Sequence, residues 1–440
     1  MIAKVFTGLD SMESLVYNRP EGASRGQIRE ELSMRILLLT QIVVLPADSG
    51  PKIKTLQVLK HLAAHHDIVN CTFAHDAREV QYAEKLGALC SRVVTVPMRR
   101  SPGIDARFLL ESLVTGDSFI LRRDERTAMR AAVARLLREE HFDAVHVDQL
   151  NMMRFLPKEW KGAVILDEHN AVWQVVERLR KRMQNPMAHW FLGREIHVVR
   201  KQESAACQRA QVVLTVSEQD RQALRAIAGE AAAIEIVPIS VDAQNLAPVC
   251  AARRPQRNRL LTIGTMFWPP NSEGAIWWLR EGYEYLRSEC TDVIYDIVGA
   301  RPPRALQRLA SRHPGVRLHG YVADALPFWK ETSALAVPLL SGGGVRVKIL
   351  EAMAMGVPVI STTMGCEGLD VRSGEHLLVA DTPQAFASAC ASVLQDADLA
   401  HRLTENARRL ILENYDKEVA LQALDSVYER IGASIAKAEC

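Results

Sequence analysis

The chain has 440 residues, of which 48% are hydrophobic and 24% charged, and a formal net charge of +2. That length exceeds one ordinary hydrophobic core and predicts two domains of roughly 150–200 residues each, while the composition excludes disordered, collagen-like and disulfide-scaffold classes. A charge so near zero provides no general nucleic-acid-binding surface, so no nucleic-acid partner is expected.

The eight cysteines, at positions 71, 90, 207, 250, 290, 366, 390 and 440, form no C-x-x-C pair and no zinc-type spacing. They read as reduced, mostly buried thiols, and neither a metal nor another cofactor is predicted. No run approaches the ~18–20 apolar residues that cross a bilayer. The N-terminus carries Asp10, Glu13, Glu21, Glu30 and Glu31 without the apolar stretch of a secretory signal. The expectation is cytoplasmic residence, with residues 1–33 a poorly ordered extension.

In chain order, a buried strand at 35–40 leads through Pro46 and Gly50 into a helix at 54–65 and a strand at 67–73, a βαβ unit. The rhythm continues with a helix at 77–86, strand at 92–96, helix at 126–140, and strands at 144–147 and 163–167. A helical stretch over 173–208 is rich in Arg, Lys and Trp, and the strand at 212–216 ends at Ser217, a suitable N-cap for the next helix. Pro248, Pro255 and the basic Arg253, Arg254 and Arg257 interrupt the pattern and mark 243–259 as a linker. A second series follows, with strands at 260–263, 293–298, 316–320, 334–338, 357–362 and 377–379. Alternation of this kind predicts an α/β chain of two doubly wound parallel sheets, with ligands held by strand-to-helix loops across a cleft.

The loop with most chemistry is Ser341-Gly342-Gly343-Gly344-Val345-Arg346-Val347-Lys348. Successive glycines at a helix start let backbone N–H groups approach an anion, and the helix dipole adds attraction. Arg346 and Lys348 in the first turn of a helix predicted at 345–355 oppose that dipole, which suits cations serving an anionic ligand. From the residues alone, the loop is either a phosphate cradle or a glycine-rich turn with two solvated cations. Glu351, one turn beyond Lys348, either pairs with that lysine or meets a ligand.

The run from Lys348 through Glu351 to Gly356-Val357-Pro358-Val359 resembles the signature of the retaining glycosyltransferases of group 1, also called family 4, in an exopolysaccharide-type branch. The resemblance extends to Gly264 with Pro270-Asn271, Val298-Gly299, Gly320-Tyr321-Val322 with Asp324, and Glu367-Gly368-Leu369. It implies the GT-B fold of two facing Rossmann-like domains: an acceptor domain at 34–242, a donor domain at 260–425, and a terminal helix or tail at 426–440 that crosses back to the first domain. It further implies transfer of a sugar, of hexosyl type, from a UDP- or GDP-sugar to an acceptor hydroxyl with retention, in polysaccharide or glycoconjugate synthesis. Glu351 would then bind the ribose hydroxyls. Gly320, Tyr321 and Val322 would lie under the base, and Asn271, Gly343, Gly344 and Val345 would line the donor site.

Two positions depart from the family pattern. A first glutamate expected eight positions before Glu351 is Gly343, and the Arg and Lys expected after the first strand of the donor domain are missing from Gly264-Thr265-Met266-Phe267-Trp268-Pro269-Pro270-Asn271. A diphosphate left unpaired would cost several kcal/mol. Arg346 and Lys348 are therefore expected to supply the missing cations and to stabilise the leaving group.

In the first domain, Gly50 matches the family's glycine loop, and the resemblance places His169 near the donor sugar and phosphate as a catalytic group. His146, Asp148, Glu168 and Asn170, at strand ends, are acceptor-side candidates. The segment 173–201, with Trp173, Trp190 and several Arg and Lys residues, reads either as a solvated helix pair or as a peripheral contact with the inner membrane face and a lipid-linked sugar acceptor. Two further readings remain: a nucleotide-sugar epimerase on the same fold, and a non-catalytic GT-B binding subunit. No strand runs into a G-x-G-x-x-G turn, which disfavours a dinucleotide-dependent oxidoreductase.

Overall fold

A computed structural model of the protein describes residues 15–18, 33–246 and 258–439. They divide into two compact units: one runs to Pro238 and resumes at Leu421, and the other is Ile239–Ala420.

The first unit is built on eight strands: β1 (Leu15–Asn18), β2 (Arg35–Thr40), β3 (Asp67–Ala74), β4 (Arg92–Pro97), β5 (Ala144–Asp148), β6 (Ala163–Glu168), β7 (Val212–Thr215) and β8 (Ile234–Ile236). Their order is β1-β4-β3-β2-β5-β6-β7-β8. All pairs are parallel except β1 with β4, where Leu15 lies opposite Thr95. Thus part of the segment expected to be a loose extension is an edge strand, while its other residues up to 32 lie outside the described residues. The continuous apolar run Ile36 to Leu39 is buried because helices cover both sheet faces. One face packs Leu37, Val145 and Leu166 against helix residues Met129, Val133 and Leu224. The other packs Ile36 and Leu38 against Leu59 and Leu62, and against Leu424, Val427, Tyr428 and Ile431 of the terminal helix Gln422–Glu439. That burial is why the chain's end belongs to the first unit.

The second unit has β9 (Arg259–Ile263), β10 (Ile294–Val298), β11 (Val316–Gly320), β12 (Ala334–Val337), β13 (Val359–Ser361) and β14 (Leu378–Val379), in the order β11-β10-β9-β12-β13-β14, all parallel. Its entry and exit segments are tied together: Ala243 N–H donates to Asp416 Oδ2 (3.1 Å), and Lys417 Nζ to Asp242 Oδ2 (2.9 Å). Residues 247–257 of the expected linker lie outside the described residues.

Each sheet reverses its winding once, between β2 and β5 in the first unit and between β9 and β12 in the second. In open α/β sheets ligands bind beyond the carboxyl ends of the strands at such switch points. The loop after β12 is 338–346, and the strand beside β12 at the switch point is β9.

Candidate active site

The backbone of the second unit makes a close-fitting floor at the strand ends. Gly299 N–H donates to the Gly320 carbonyl (2.7 Å), and Gly264 N–H to that of Val298 (3.0 Å). Gly264 and Gly320 take φ of +148° and +68°. A Cβ on Gly299 would sit 1.8 Å from the Gly264 carbonyl oxygen, so glycine is required for the loops to approach.

Gly342 and Gly344 turn the loop after β12 with φ of +114° and +79°. The helix begins later than its sequence suggests, at Val347, and runs to Ala354 with Arg346 as N-cap. Val345 is therefore outside the helix, with its side chain buried. Arg346 curls back over the glycines and donates from Nη1 to the carbonyls of Gly343 and Gly344. Lys348 crosses the switch point. Its Nζ donates to Asn271 Oδ1 (3.1 Å), and Asn271 Nδ2 in turn donates to the Thr265 carbonyl (3.0 Å). A Cβ on Gly264 would lie only 2.6 Å from the same Nζ. The ammonium thus stands in the loop after β9, where the sequence lacks a cation of its own.

Lys348 bonds to Asn271 rather than closing an ion pair with Glu351, one turn along. Burial lowers the Lys348 ammonium to about 7, the Arg346 guanidinium pushes the same way, and Glu351 opposes both. Burial raises the Glu351 carboxyl to about 7 against the pull of Lys348. An anion between these groups would restore the charge on Lys348, a property of an anion site rather than of a solvated turn.

Tyr321 is 77% exposed beside the glycine floor, not in the core, and Val322 is half-buried. Nearby Phe267 and Trp268 are also exposed, and the Arg301 guanidinium lies 3.8 Å from the Phe267 ring centroid. These three were not among the residues expected from sequence.

The first unit holds a buried polar cluster at its own switch point. The helix Gly50–His65 begins on Gly50 itself, with Pro51 in its first turn and Ser49 as N-cap. It carries Lys54, whose Nζ lies 2.5 Å from Asp167 Oδ1, and Thr55, whose hydroxyl donates to Asp148 Oδ1 (2.9 Å). Burial alone would raise the Asp167 carboxyl, but Lys54, with His146 and His169 behind it, holds it below the usual carboxylate range. His169 Nε2 is 3.1 Å from Asp148 Oδ1, off the line of a hydrogen bond, and among the described residues neither ring nitrogen has a hydrogen-bond partner. Asp148, Asp167 and His169 bring three ligand-type atoms within 4.8 Å of one another. The Lys54 ammonium already supplies a positive charge to that group.

Two acceptor-side expectations need correcting. The His146 ring is buried, with Nδ1 2.8 Å from the Tyr428 hydroxyl and Nε2 3.6 Å from Asp167, so it braces the terminal helix against the sheet. Glu168 is buried as well, and its carboxyl is raised by burial and by its neighbours Glu203 and Asp167. Glu203 accepts N–H bonds from Val172 (2.6 Å) and Trp173 (3.0 Å), and Asp220 accepts one from Ala171 (3.0 Å). These carboxylates pin the turn that follows His169 and the half-buried Asn170. Lys54 was detectable in principle, because it falls four residues before Val58 and eight before Leu62 on the helix's buried stripe.

Comparison with known proteins bears on the second unit first. Residues 257–396 match the family model described as glycosyl transferases group 1. The second unit is thus similar to the group 1 glycosyltransferases over most of its length. A 44.6 kDa protein in the cps region of Klebsiella pneumoniae is 27% identical over 172 residues, 38% of this chain and 44% of that protein. The chain thus matches less than half the length of that relative. The whole fold is similar to sucrose-phosphate synthase from Thermosynechococcus elongatus (TM-score 0.65, 18% identity, 91% of this chain and 100% of that one). It is also similar to Anabaena HepE solved with UDP and glucose (TM-score 0.62, 13% identity, 90% and 99%). The chain therefore has the GT-B fold of those structures.

Proposed function

We propose that this chain is a group 1 glycosyltransferase that moves a sugar from a nucleoside diphosphate sugar to an acceptor hydroxyl, with retention, in polysaccharide or glycoconjugate synthesis. The observation that carries the reading is Lys348 Nζ, which is delivered from the first turn of the helix after β12 into the loop after β9 beside Gly264 and Asn271. Arg346 and Lys348 neutralise the diphosphate and stabilise it as it leaves, in a site where preorganised charge is worth more than in water. Glu351 takes the ribose hydroxyls as an acceptor of two hydrogen bonds. Tyr321 offers an exposed ring to the base, and the Gly320–Val322 backbone offers hydrogen bonds. Gly343, where a second carboxylate was expected, keeps one negative charge away from the diphosphate and so fits the same arrangement.

From the first unit, His169 is assigned to the donor sugar and phosphate, with Asp148 and Asn170 toward the acceptor. HepE, which shares the fold, was solved with UDP and glucose, which favours a UDP-sugar over a GDP-sugar donor. Retention and hexosyl transfer rest on the resemblance of the signature. Among the described residues no helix is long and apolar enough to cross a membrane. A lipid-linked acceptor would be met peripherally, at the inner membrane face of the cytoplasm.

The test is a screen of UDP- and GDP-sugars for nucleoside diphosphate release, with and without lipid-linked acceptors. Release that depends on acceptor and is lost in the double variant Arg346→Ala, Lys348→Ala supports the reading. Turnover that survives in that variant rejects the mechanism, and a product sugar still linked to its nucleotide identifies an epimerase.

A further inference from the structure

The helix Gly50–His65 ends on a cluster of imidazoles. His61 and His65 lie four residues apart on one face, with ring centroids 5.4 Å apart, and His66 follows as the C-cap. A sixteen-residue helix spans about 24 Å, so this end stands at the amino ends of the strands, away from Gly50 and the strand-end loops. Against it runs the terminal helix Gln422–Glu439, whose Asp425 places Oδ1 2.5 Å from His61 Nε2 and so joins positions 364 residues apart. His61, His65 and Asp425 each offer one ligand atom, and the three atoms lie within 4.8 Å of one another.

The simpler account is a His61–Asp425 hydrogen bond, with His65 placed in a last turn where the helix dipole favours positive charge. That explains His61 and leaves His65 idle. The His65 ring neighbours those of His61 and His66 and makes no hydrogen bond among the described residues. Two histidines four apart on a helix, with a carboxylate from a facing helix, make a three-ligand set for a borderline cation such as Zn²⁺, whereas Mg²⁺ and Ca²⁺ take oxygen donors. Bonds of about 2.0–2.2 Å to a tetrahedral ion set its ligand atoms about 3.3–3.5 Å apart. The His61–Asp425 contact would open by about 1 Å, and the exposed His65 ring would close by up to about 1.5 Å. The Asp425 side chain is 44% exposed, which leaves an outward position for water as the fourth ligand.

We propose that His61, His65 and Asp425 bind a divalent cation of the Zn²⁺ class that fastens the terminal helix to the helix Gly50–His65. The terminal helix is otherwise held by its apolar face, Leu424, Val427, Tyr428 and Ile431, and by the ion pair of Arg430 with Glu235. A cation on Asp425 adds a polar fastening one turn before Tyr428, whose hydroxyl meets His146. The cysteine spacing that predicts no zinc site does not bear on this group, whose donors are two imidazoles and a carboxylate. At the sheet edge away from the donor loops, the cation has a structural role and takes no part in sugar transfer.

Tag-free full-length protein, stripped with a chelator, would be titrated calorimetrically with Zn²⁺, Mg²⁺ and Ca²⁺, and its thermal unfolding followed with and without Zn²⁺. Zn²⁺ should bind with a Kd of about 1 μM or tighter, and Mg²⁺ and Ca²⁺ at least about a hundredfold more weakly. His65→Ala removes no hydrogen bond, so its metal-free Tm should match the wild type. Its Zn²⁺ affinity should fall by at least about a hundredfold, and the rise in Tm with Zn²⁺ should disappear. Asp425→Asn should lose Zn²⁺ likewise, and amide exchange across Gln422–Glu439 should slow with Zn²⁺ in the wild type but in neither variant. Zn²⁺ affinity in His65→Ala within about threefold of wild type would overturn the proposal. So would binding lost in His169→Ala instead, which would put the ion on Asp148, Asp167 and His169. Exchange in the terminal helix unchanged by bound Zn²⁺ would remove Asp425 from the site and overturn it as well.

Discussion

Replacing Lys348 with methionine keeps most of the side chain's volume and removes its charge. Two unit charges about 4 Å apart attract by about 4 kcal/mol at an effective dielectric near 20. Lys348 is half-buried and, with an ammonium lowered to about 7, about half protonated at pH 7, so drawing in the missing proton offsets only about 0.4 kcal/mol of that attraction. The expected loss of UDP affinity at pH 7 is at most about 3.6 kcal/mol, or a few hundredfold. The sign of the pH dependence follows from the same group. Below pH 7 Lys348 is already protonated in the free protein; above it, binding a diphosphate must draw in a proton. Wild-type affinity should therefore fall above pH 7 by up to about tenfold per unit, with proton uptake visible as a buffer-dependent heat in calorimetry. Lys348→Met should show neither the slope nor the uptake. Affinity within twofold of wild type, or an unchanged proton count, would refute the placement of the ammonium on the diphosphate.

Glu351→Ala should weaken UDP binding by about 1.5–3 kcal/mol through loss of charged hydrogen bonds to ribose, yet leave inorganic pyrophosphate binding unchanged; equal losses for both ligands would remove Glu351 from the ribose. Gly299→Ala must push the Gly264 carbonyl aside, at roughly 1–3 kcal/mol, and should lower the Tm by several degrees; a wild-type Tm would contradict the described loop packing. Burial raises Glu203 to about 7 even though it accepts two N–H bonds. Its contribution to stability should be full below the unfolded carboxyl value and lost as pH rises through 7, and Glu203→Gln should flatten that decline in denaturant titrations. A slope identical to wild type would show that Glu203 is ionised throughout.

The alternation of apolar strands with helices made the two doubly wound sheets legible in sequence, because a strand buried on both faces must be apolar along its whole length, as Ile36 to Leu39 are. Sheet order was not legible, since it depends on which strand end the chain returns to. Helix Pro102–Thr115 went unread although Ser101, Pro102 and Gly116 are start and stop signals. Its Leu110, Leu113 and Val114 are exposed while Ser112 is buried, so it shows no clean amphipathic stripe. At the site, the coupling of Arg346 and Lys348 to the cation-poor loop after β9 could be argued from missing residues, but the bond from Lys348 to Asn271 links positions 77 residues apart and needed coordinates. Glu168 and His146 looked available because strand ends usually open toward ligands. In the fold, Glu168 lies beside Glu203, and His146 meets Tyr428 from the far end of the chain.

The most direct test of the account is nucleoside diphosphate release from UDP-sugars in the presence of sugar and lipid-linked sugar acceptors, measured for the wild type and for Arg346→Ala, Lys348→Ala. Acceptor-dependent release by the wild type, with the double variant slowed by at least about a hundredfold, is the predicted result. Equal rates in the two proteins would contradict the assignment of the glycine loop and its cations to the departing diphosphate.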